Sequence, residues 1–520
     1  MKPKSSPVPE TTLAPGLRRY LFLTAASTGA GIMIVEILGA KMLAPYFGTS
    51  HFVWTAQIAV TLIALASGYY VGGRWVDQSA KLSRLYSAIL VAAGYLALTV
   101  AVVKQISFAC LGAGLAAGSL LAALILYFVP LCLLAMTGPF LVRVITTSVA
   151  GVGGNVGRLT AISTLGSVFG TVLIGYVLIP FMPNSLTMYL TAVALMLVAG
   201  GYFAVWNPRK KTMVVTGLLV SGTLAGAWAT QRTDHFATRS LDEIHRANSN
   251  FGQLQVLQVK DSPIRYYLND LLTQNTYDTN RHQGHSMFTY ALHSLARAYA
   301  PKIEDVLCIG MGIGLVPTDF ARDGARVDAV EINAAIVPVA EKFFELDTTK
   351  FKLHIGDGRH FLNETTNRYD AVVLDAFLGD SSPSHLMTRE AFEAIRRVLK
   401  PEGVLAINAF ADPDPENDFF AASLSKTLAA VFPSVRIHRG QRGNTIFLGS
   451  LRANAEPLRA PEIAGMHPYV TNDVMEAFLT LRETDPQHGR VLTDDFNPVE
   501  FYDAKNREKV REQLVTIIRN

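Results

Sequence analysis

The sequence predicts two architectures in one chain. An α-helical bundle of about seven transmembrane spans comes first, and an α/β unit follows in which strands and helices alternate into a doubly wound, mostly parallel sheet. Three observations carry this. Of the 520 residues 50% are hydrophobic and only 17% charged, and the apolar ones crowd before about position 230. There they form runs close to the ~20 residues that cross a hydrocarbon core. After Arg232 charges return at ordinary density, and short β-branched runs alternate with helical spacing.

The apolar runs fall at 20–43, 52–73, 85–103, 115–141, 159–181, 186–204 and 213–229. Around the fourth, the stretch 106–144 is long for one upright helix, which leaves room for a re-entrant or interfacial piece near 112–118. The first run is too long for a cleaved secretion signal, and many others follow it. Small residues, as in GSVFG at 166–170, let helices approach closely. Glu36 and Lys41 stand out in the first span, because an intramembrane carboxylate is costly. Glu36 calls for pairing with Lys41 or Arg143, or for a polar path.

Lys2, Lys4, Arg18, Arg19, Arg74, Lys81, Arg84, Arg143, Arg158, Arg209, Lys210 and Lys211 fall on one side of such a bundle, and Lys41 and Lys104 on the other. The positive-inside rule makes the first side cytoplasmic, and seven spans then put the α/β unit outside. A cytosolic nucleotide substrate argues the reverse. The expected location is therefore the cytoplasmic (inner) membrane with the lipid bilayer as a partner, and the side of the α/β unit stays open. A net charge of +4, with no Lys/Arg run longer than 209–211, argues against a nucleic-acid partner. Cys110, Cys132 and Cys308 show neither disulfide nor metal spacing and read as buried thiols.

The chain thus divides into a tail at 1–19, a helical part at 20–231, a strand-rich part at 232–286 and an α/β part at 287–520. Strands are predicted at 254–259 and 264–268 and a helix at 287–300. The stretch VLCIGMGIGLVPTDFARDGARVDAVEIN, 306–333, then reads as strand, glycine turn, helix and a second strand ending in an acid. Further strands at 351–355, 369–374 and 404–408 alternate with helices, the last of them after the turn KPEG at 400–403. Such alternation places a ligand at the carboxyl ends of the strands.

Gly310, Gly312 and Gly314 let the backbone turn tightly beside a ligand. Glu331 closes the next strand, where a carboxylate accepts both ribose hydroxyl protons of a nucleoside. The spacing departs from the dinucleotide fingerprint, so a pyrophosphate is not indicated. Asp357 and Asp375 follow two further strands, which sets three acids on one rim of the sheet for a ribose, an adenine amino group and a cationic centre. Asp357 before Gly358 also fits a helix cap.

The turn GMGIG with VEIN, GDGRHFL, YDAVVLDAF and LKPEG resembles the polyamine aminopropyltransferases, the spermidine synthases, over about 249–451, and the whole chain resembles their membrane-integrated members. The resemblance implies a small β-domain before a Rossmann-like, methyltransferase-type domain, and frequent homo-oligomers. It implies decarboxylated S-adenosylmethionine as a small-molecule substrate, methylthioadenosine as a product, and no metal or further cofactor. By position Glu331 holds the ribose, Asp357 and Gly358 the adenine, and Gly310, Gly312 and Gly314 the nucleoside and sulfonium side, while Asp375 accepts from the attacking amine.

The departures concern the reaction end. Where the family's turn carries an acid for the aminopropyl nitrogen, this chain has Ile313; where it has Tyr before His, Gly284 precedes His285; and its usual Gln falls on Gly252 or Gln253. The second acid, Asp380, is spaced differently after Asp375. Losing the acid at Ile313 removes repulsion of the carboxylate of intact S-adenosylmethionine, roughly 4 kcal/mol at ~4 Å and an effective dielectric of ~20. Three readings follow, in this order. The first is a lyase that closes S-adenosylmethionine to homoserine lactone. The second is an aminopropyltransferase acting on putrescine or another amine through Asp375 and Asp380. The third is a nucleoside-sensing membrane protein or transporter. The tail segment LTDDFNPVEFY, 492–502, either covers the pocket or forms a capped turn before a helix at 505–518.

Overall fold

The computed structural model describes residues 13–48, 51–146, 152–233, 240–377, 383–414, 417–440, 444–485 and 487–498. These form two compact units that divide near His235.

The N-terminal unit is helical: α1 Pro15–Phe47, α2 His51–Gln78, α3 Leu82–Leu111, α4 Leu115–Ala135, α5 Thr137–Ile145, α6 Val152–Leu173, α7 Ile179–Phe181, α8 Asn184–Val205 and α9 Lys210–Thr233. Taken as continuous rods, with α4 joined to α5 and α6 to α7, seven helices among the described residues are long and apolar enough to cross a membrane. The region expected to hold a re-entrant piece is a short turn after α3, in which Gly114 adopts φ +88°. The stretch 106–144 is instead divided by the break at Met136 between α4 and α5.

The GSVFG run does what its small residues allow: a Cβ on Gly166 or Gly170 would overlap the backbone of Ala26 or Ala30, so α6 lies directly against α1. Among the described residues neither Lys41 nor Arg143 pairs with Glu36. Cys110 is buried, whereas Cys132 keeps partial exposure.

The C-terminal unit holds two sheets. The first is an antiparallel meander of β1 Leu241–Ser249, β2 Gly252–Val259, β3 Ile264–Asn269, β4 Leu272–Asp278 and β5 Gln283–Gly284. The second contains β6 Asp305–Ile309, β7 Arg326–Glu331, β8 Lys352–Ile355, β9 Tyr369–Leu374, β10 Leu399–Phe410, β11 Ser434–Arg439, β12 Asn444–Ser450 and β13 Leu481–Arg482. Its order is β13-β11-β12-β10-β9-β6-β7-β8, with β10, β9, β6, β7 and β8 parallel and the remaining pairs antiparallel. From β6 the chain winds outward through β7 and β8, then returns to lay β9 on the other side of β6. That reversal is the crevice where such sheets bind ligands.

Both faces of the sheet are covered. Along β9, Ala371 and Val373 face one core with α10 Met287–Tyr299, α11 Leu315–Arg322, α12 Ile336–Phe344 and α16 Pro468–Leu479. Val372 and Leu374 face a second core with α14 Arg389–Val398 and α15 Phe419–Ala429, and α13 Gly358–Glu364 adds Leu362 to it. This is the doubly wound, Rossmann-like, methyltransferase-type fold. The predicted KPEG turn lies inside β10, at a slip in its register with β9 between Leu399 and Val404. Lys400 is held there by Asp305 and Asp370, and residues 400–403 bulge out of the ladder as a turn, with Gly403 folded back on the Lys400 carbonyl.

Candidate active site

The crevice opens into a cavity of about 860 Å³ including the open space at its mouth. Its centre is the crossing of β6 and β9. Gly310 donates to the Val330 carbonyl (2.9 Å) and Asp375 to the Ile309 carbonyl (2.9 Å), so the ladders run one residue past both strands. Gly310 has φ +90°, and a Cβ there would overlap the Asp375 carbonyl oxygen. Only glycine lets turn and acid meet.

Glu331 ends β7 and is buried. Its Oε2 accepts from the Met311 and Gly312 N–H groups (3.0 and 3.4 Å) and its Oε1 from the Asn333 N–H (2.8 Å). The carboxylate thus pins the glycine turn and keeps lone pairs for a ligand. Burial pushes its carboxyl above the usual range, and these N–H groups pull part of the way back. Asp357 caps α13 through the His360 N–H (2.9 Å) and takes His385 Nε2 on its other oxygen (2.9 Å). Partial burial works to raise its pKa, but the His360 N–H and the His385 ring outweigh it and hold the group below the usual range.

Asp375 follows β9, with its accessible surface in the cavity. Asn408, buried on the neighbouring β10, donates to Asp375 Oδ1 at 2.9 Å. Burial pushes the Asp375 carboxyl up to about 6; the Asn408 amide lowers it and the Glu331 charge raises it further. A carboxyl poised there is largely ionised near neutrality and able to take a proton.

The meander supplies the facing wall: Tyr267, Asn269, Gln274 and Asn275, with Phe251 and Phe288 beside them. Two consecutive residues of β4 reach one cavity because the register with β3 slips between Tyr267 and Leu268, so that Gln274 is the extra residue of a β-bulge. Sequence reasoning missed this wall. Its signal was the polar pair Gln274-Asn275 in a strand, whose facing no period-2 pattern gives.

Gly310, Gly312, Glu331, Asp357, Gly358 and Asp375 all line the cavity. Other candidates do not. Gln253 hydrogen-bonds Asn248 through its side chain and Asp270 through its N–H. His285 stacks on Tyr469, 4.2 Å between ring centroids, and meets His467 edge-on. Gly314, at φ +84°, starts α11 against Leu346. Ile313 is 2% exposed within the apolar core, so it is not a pocket residue whose lost charge the substrate would feel. Asp380 lies outside the described residues, as does the predicted helix at 505–518.

The tail segment clasps the loop that carries Pro383, His385 and Leu386 into the cavity. Asp494 accepts from Thr388 Oγ1 (2.6 Å) and from Arg359 (3.1 Å), and Asn497 donates to the Ser384 carbonyl (2.8 Å).

Residues 286–438 match the family model described as the spermine/spermidine synthase domain. The chain is similar to a polyamine aminopropyltransferase of Vibrio vulnificus, 29% identical over 227 residues that cover 41% of this chain and 74% of that protein. A polyamine aminopropyltransferase of Oceanobacillus iheyensis is 23% identical over 395 residues, covering 70% of this chain and 73% of its own length. Among solved structures, a spermidine synthase of Thermotoga maritima matches 42% of this chain and 76% of its own, at 18% identity and a TM-score of 0.36. With turn, strand-end acids and crossing in place, the C-terminal part of this chain carries a domain of the spermine/spermidine synthase family.

Proposed function

We propose that the C-terminal unit transfers an aminopropyl group from decarboxylated S-adenosylmethionine to an amine and releases methylthioadenosine. One observation carries it: Glu331, Asp357 and Asp375 line the cavity, and among the described lining residues there is neither Lys nor Arg. Such a cavity favours a cation, and the decarboxylated nucleoside carries two positive charges where the intact one carries a net single charge. In the step itself the neutral amine nitrogen attacks the propyl carbon bound to sulfur. The C–S bond breaks with its electrons on sulfur, and the new ammonium gives its proton to Asp375. Glu331 holds the ribose, and Asp357 with Gly358 borders the adenine.

Cleavage of intact S-adenosylmethionine to homoserine lactone is the second reading: the glycine turn lines the cavity with Gly310 and Gly312 and puts no acid there to repel the carboxylate. It is the weaker one, because an added carboxylate ~4–6 Å from Asp375 costs roughly 3–4 kcal/mol at an effective dielectric of ~20. Mass spectrometry of methylthioadenosine separates the two. Formation from the decarboxylated nucleoside only when putrescine or another amine is present is expected; release from the intact nucleoside without amine would transfer the conclusion to the lyase.

For the N-terminal unit we infer residence in a bilayer, supported by seven apolar helices and by large apolar side chains on its surface, among them Phe169, Tyr176, Phe181 and Leu218. Resistance to carbonate extraction together with release by detergent tests it. Assembly into homo-oligomers, inferred from the family, is tested by mass photometry.

A further inference from the structure

The cavity contains a polar side chain that has no hydrogen-bond partner among the described residues. Asn275 is 6% exposed and lines the cavity, yet its amide makes no hydrogen bond among the described residues. Burying an unmet amide is unfavourable, so a group that stays unmet in a crevice points to a ligand. Its position is specific: Asn275 Oδ1 stands 2.8 Å from the point where a Cβ on Gly312 would sit, directly over the glycine turn. Gly312 has φ +55° and offers no side chain, and the next residue, Ile313, is packed into the core. The turn itself therefore presents no side-chain acceptor to a ligand's cationic end. Asn275 faces there from β4 as the cross-strand partner of Tyr267, which lines the same cavity.

We propose that Asn275 is the acceptor for the terminal ammonium of the sulfonium substrate's propyl chain, taking from the meander the role that the turn cannot fill. The assignment rests on the aminopropyl-transfer reading of the same cavity. A carbonyl oxygen accepts a hydrogen bond from an ammonium without carrying a charge. Asn275 thus binds the cation less selectively than a carboxylate, which would repel a carboxyl group on the same carbon. The residue makes this site tolerant of the intact nucleoside at a position where an acid would exclude it.

The test is calorimetry on the purified full-length chain with three nucleosides: decarboxylated S-adenosylmethionine, S-adenosylmethionine and methylthioadenosine, which lacks the propylamine. Asn275→Ala is expected to weaken the decarboxylated nucleoside about tenfold or more while leaving methylthioadenosine unchanged. Asn275→Asp is expected to retain the decarboxylated nucleoside and weaken the intact one about tenfold. Unaltered affinity of Asn275→Ala for the decarboxylated nucleoside, or an equal loss for methylthioadenosine, overturns the assignment alone. If the unsubstituted chain binds none of the three, the aminopropyl-transfer reading falls and takes the assignment with it.

Discussion

The two ends of the cavity are built on opposite principles. At the end proposed for the nucleoside the acids are met by the protein: Glu331 accepts three backbone N–H groups, and Asp357 has an N–H on one oxygen and His385 on the other. At the end proposed for the reaction polar groups are left short. Among the described residues Asn275 has no hydrogen-bond partner for its side chain, the Asn408 Oδ1 is buried without one, and Asp375 has a single side-chain hydrogen bond and a raised pKa. Satisfied acids make a rigid cradle, whereas unsatisfied ones store the affinity and proton demand that a reaction uses.

The sharpest way to test this contrast is Asp375→Asn. Methylthioadenosine release should fall about 10²- to 10⁴-fold, while folding stability at pH 7.5 rises by about 1–3 kcal/mol, because a desolvated charge is gone. The sign follows from the raised value: ionised Asp375 costs stability above about pH 6, and the cost fades as pH drops toward the ordinary carboxylate range. The gain of the variant, read by denaturant unfolding, should therefore shrink below pH 6.

Ile313→Asp tests the border between cavity and core. If Ile313 faced the cavity, an acid there would change the choice of nucleoside; in its packed position it should cost about 3–5 kcal/mol of stability, visible in a denaturant midpoint before any change in specificity. Glu331→Gln breaks the satisfied end. Replacing one acceptor oxygen by a donor that faces an N–H should destabilise the fold by about 1–3 kcal/mol and weaken methylthioadenosine binding by about tenfold, measured by thermal unfolding and calorimetry.

The smallest effect belongs to Asn408. Its amide lowers the pKa of Asp375, so kcat/KM for the unsubstituted chain should decline below about pH 6, and Asn408→Leu should move that acid limb to higher pH. About a three- to tenfold loss at pH 6, with little at pH 8, is the expected pattern. An unshifted limb would show that Asn408 has no hold on the base.

By itself the sequence determined what is local. Apolar runs of membrane length, the alternation of strand and helix, the glycine turn and the acid at each strand end are all written within a few consecutive residues. That Gly310, Gly312, Glu331, Asp357 and Asp375 share one rim of the sheet was therefore legible in the sequence. Only the tertiary structure decided which side chains look into the cavity. Ile313 turns into the core because the turn must follow its glycine dihedral angles. Gln274 joins Asn275 at the cavity because β4 carries one residue more than β3 opposes. Asn408 reaches Asp375 because β10 lies beside β9 in space although the two residues are far apart in the chain. Facing, bulges and strand adjacency arise from pairing between distant segments, and no window along the chain contains them.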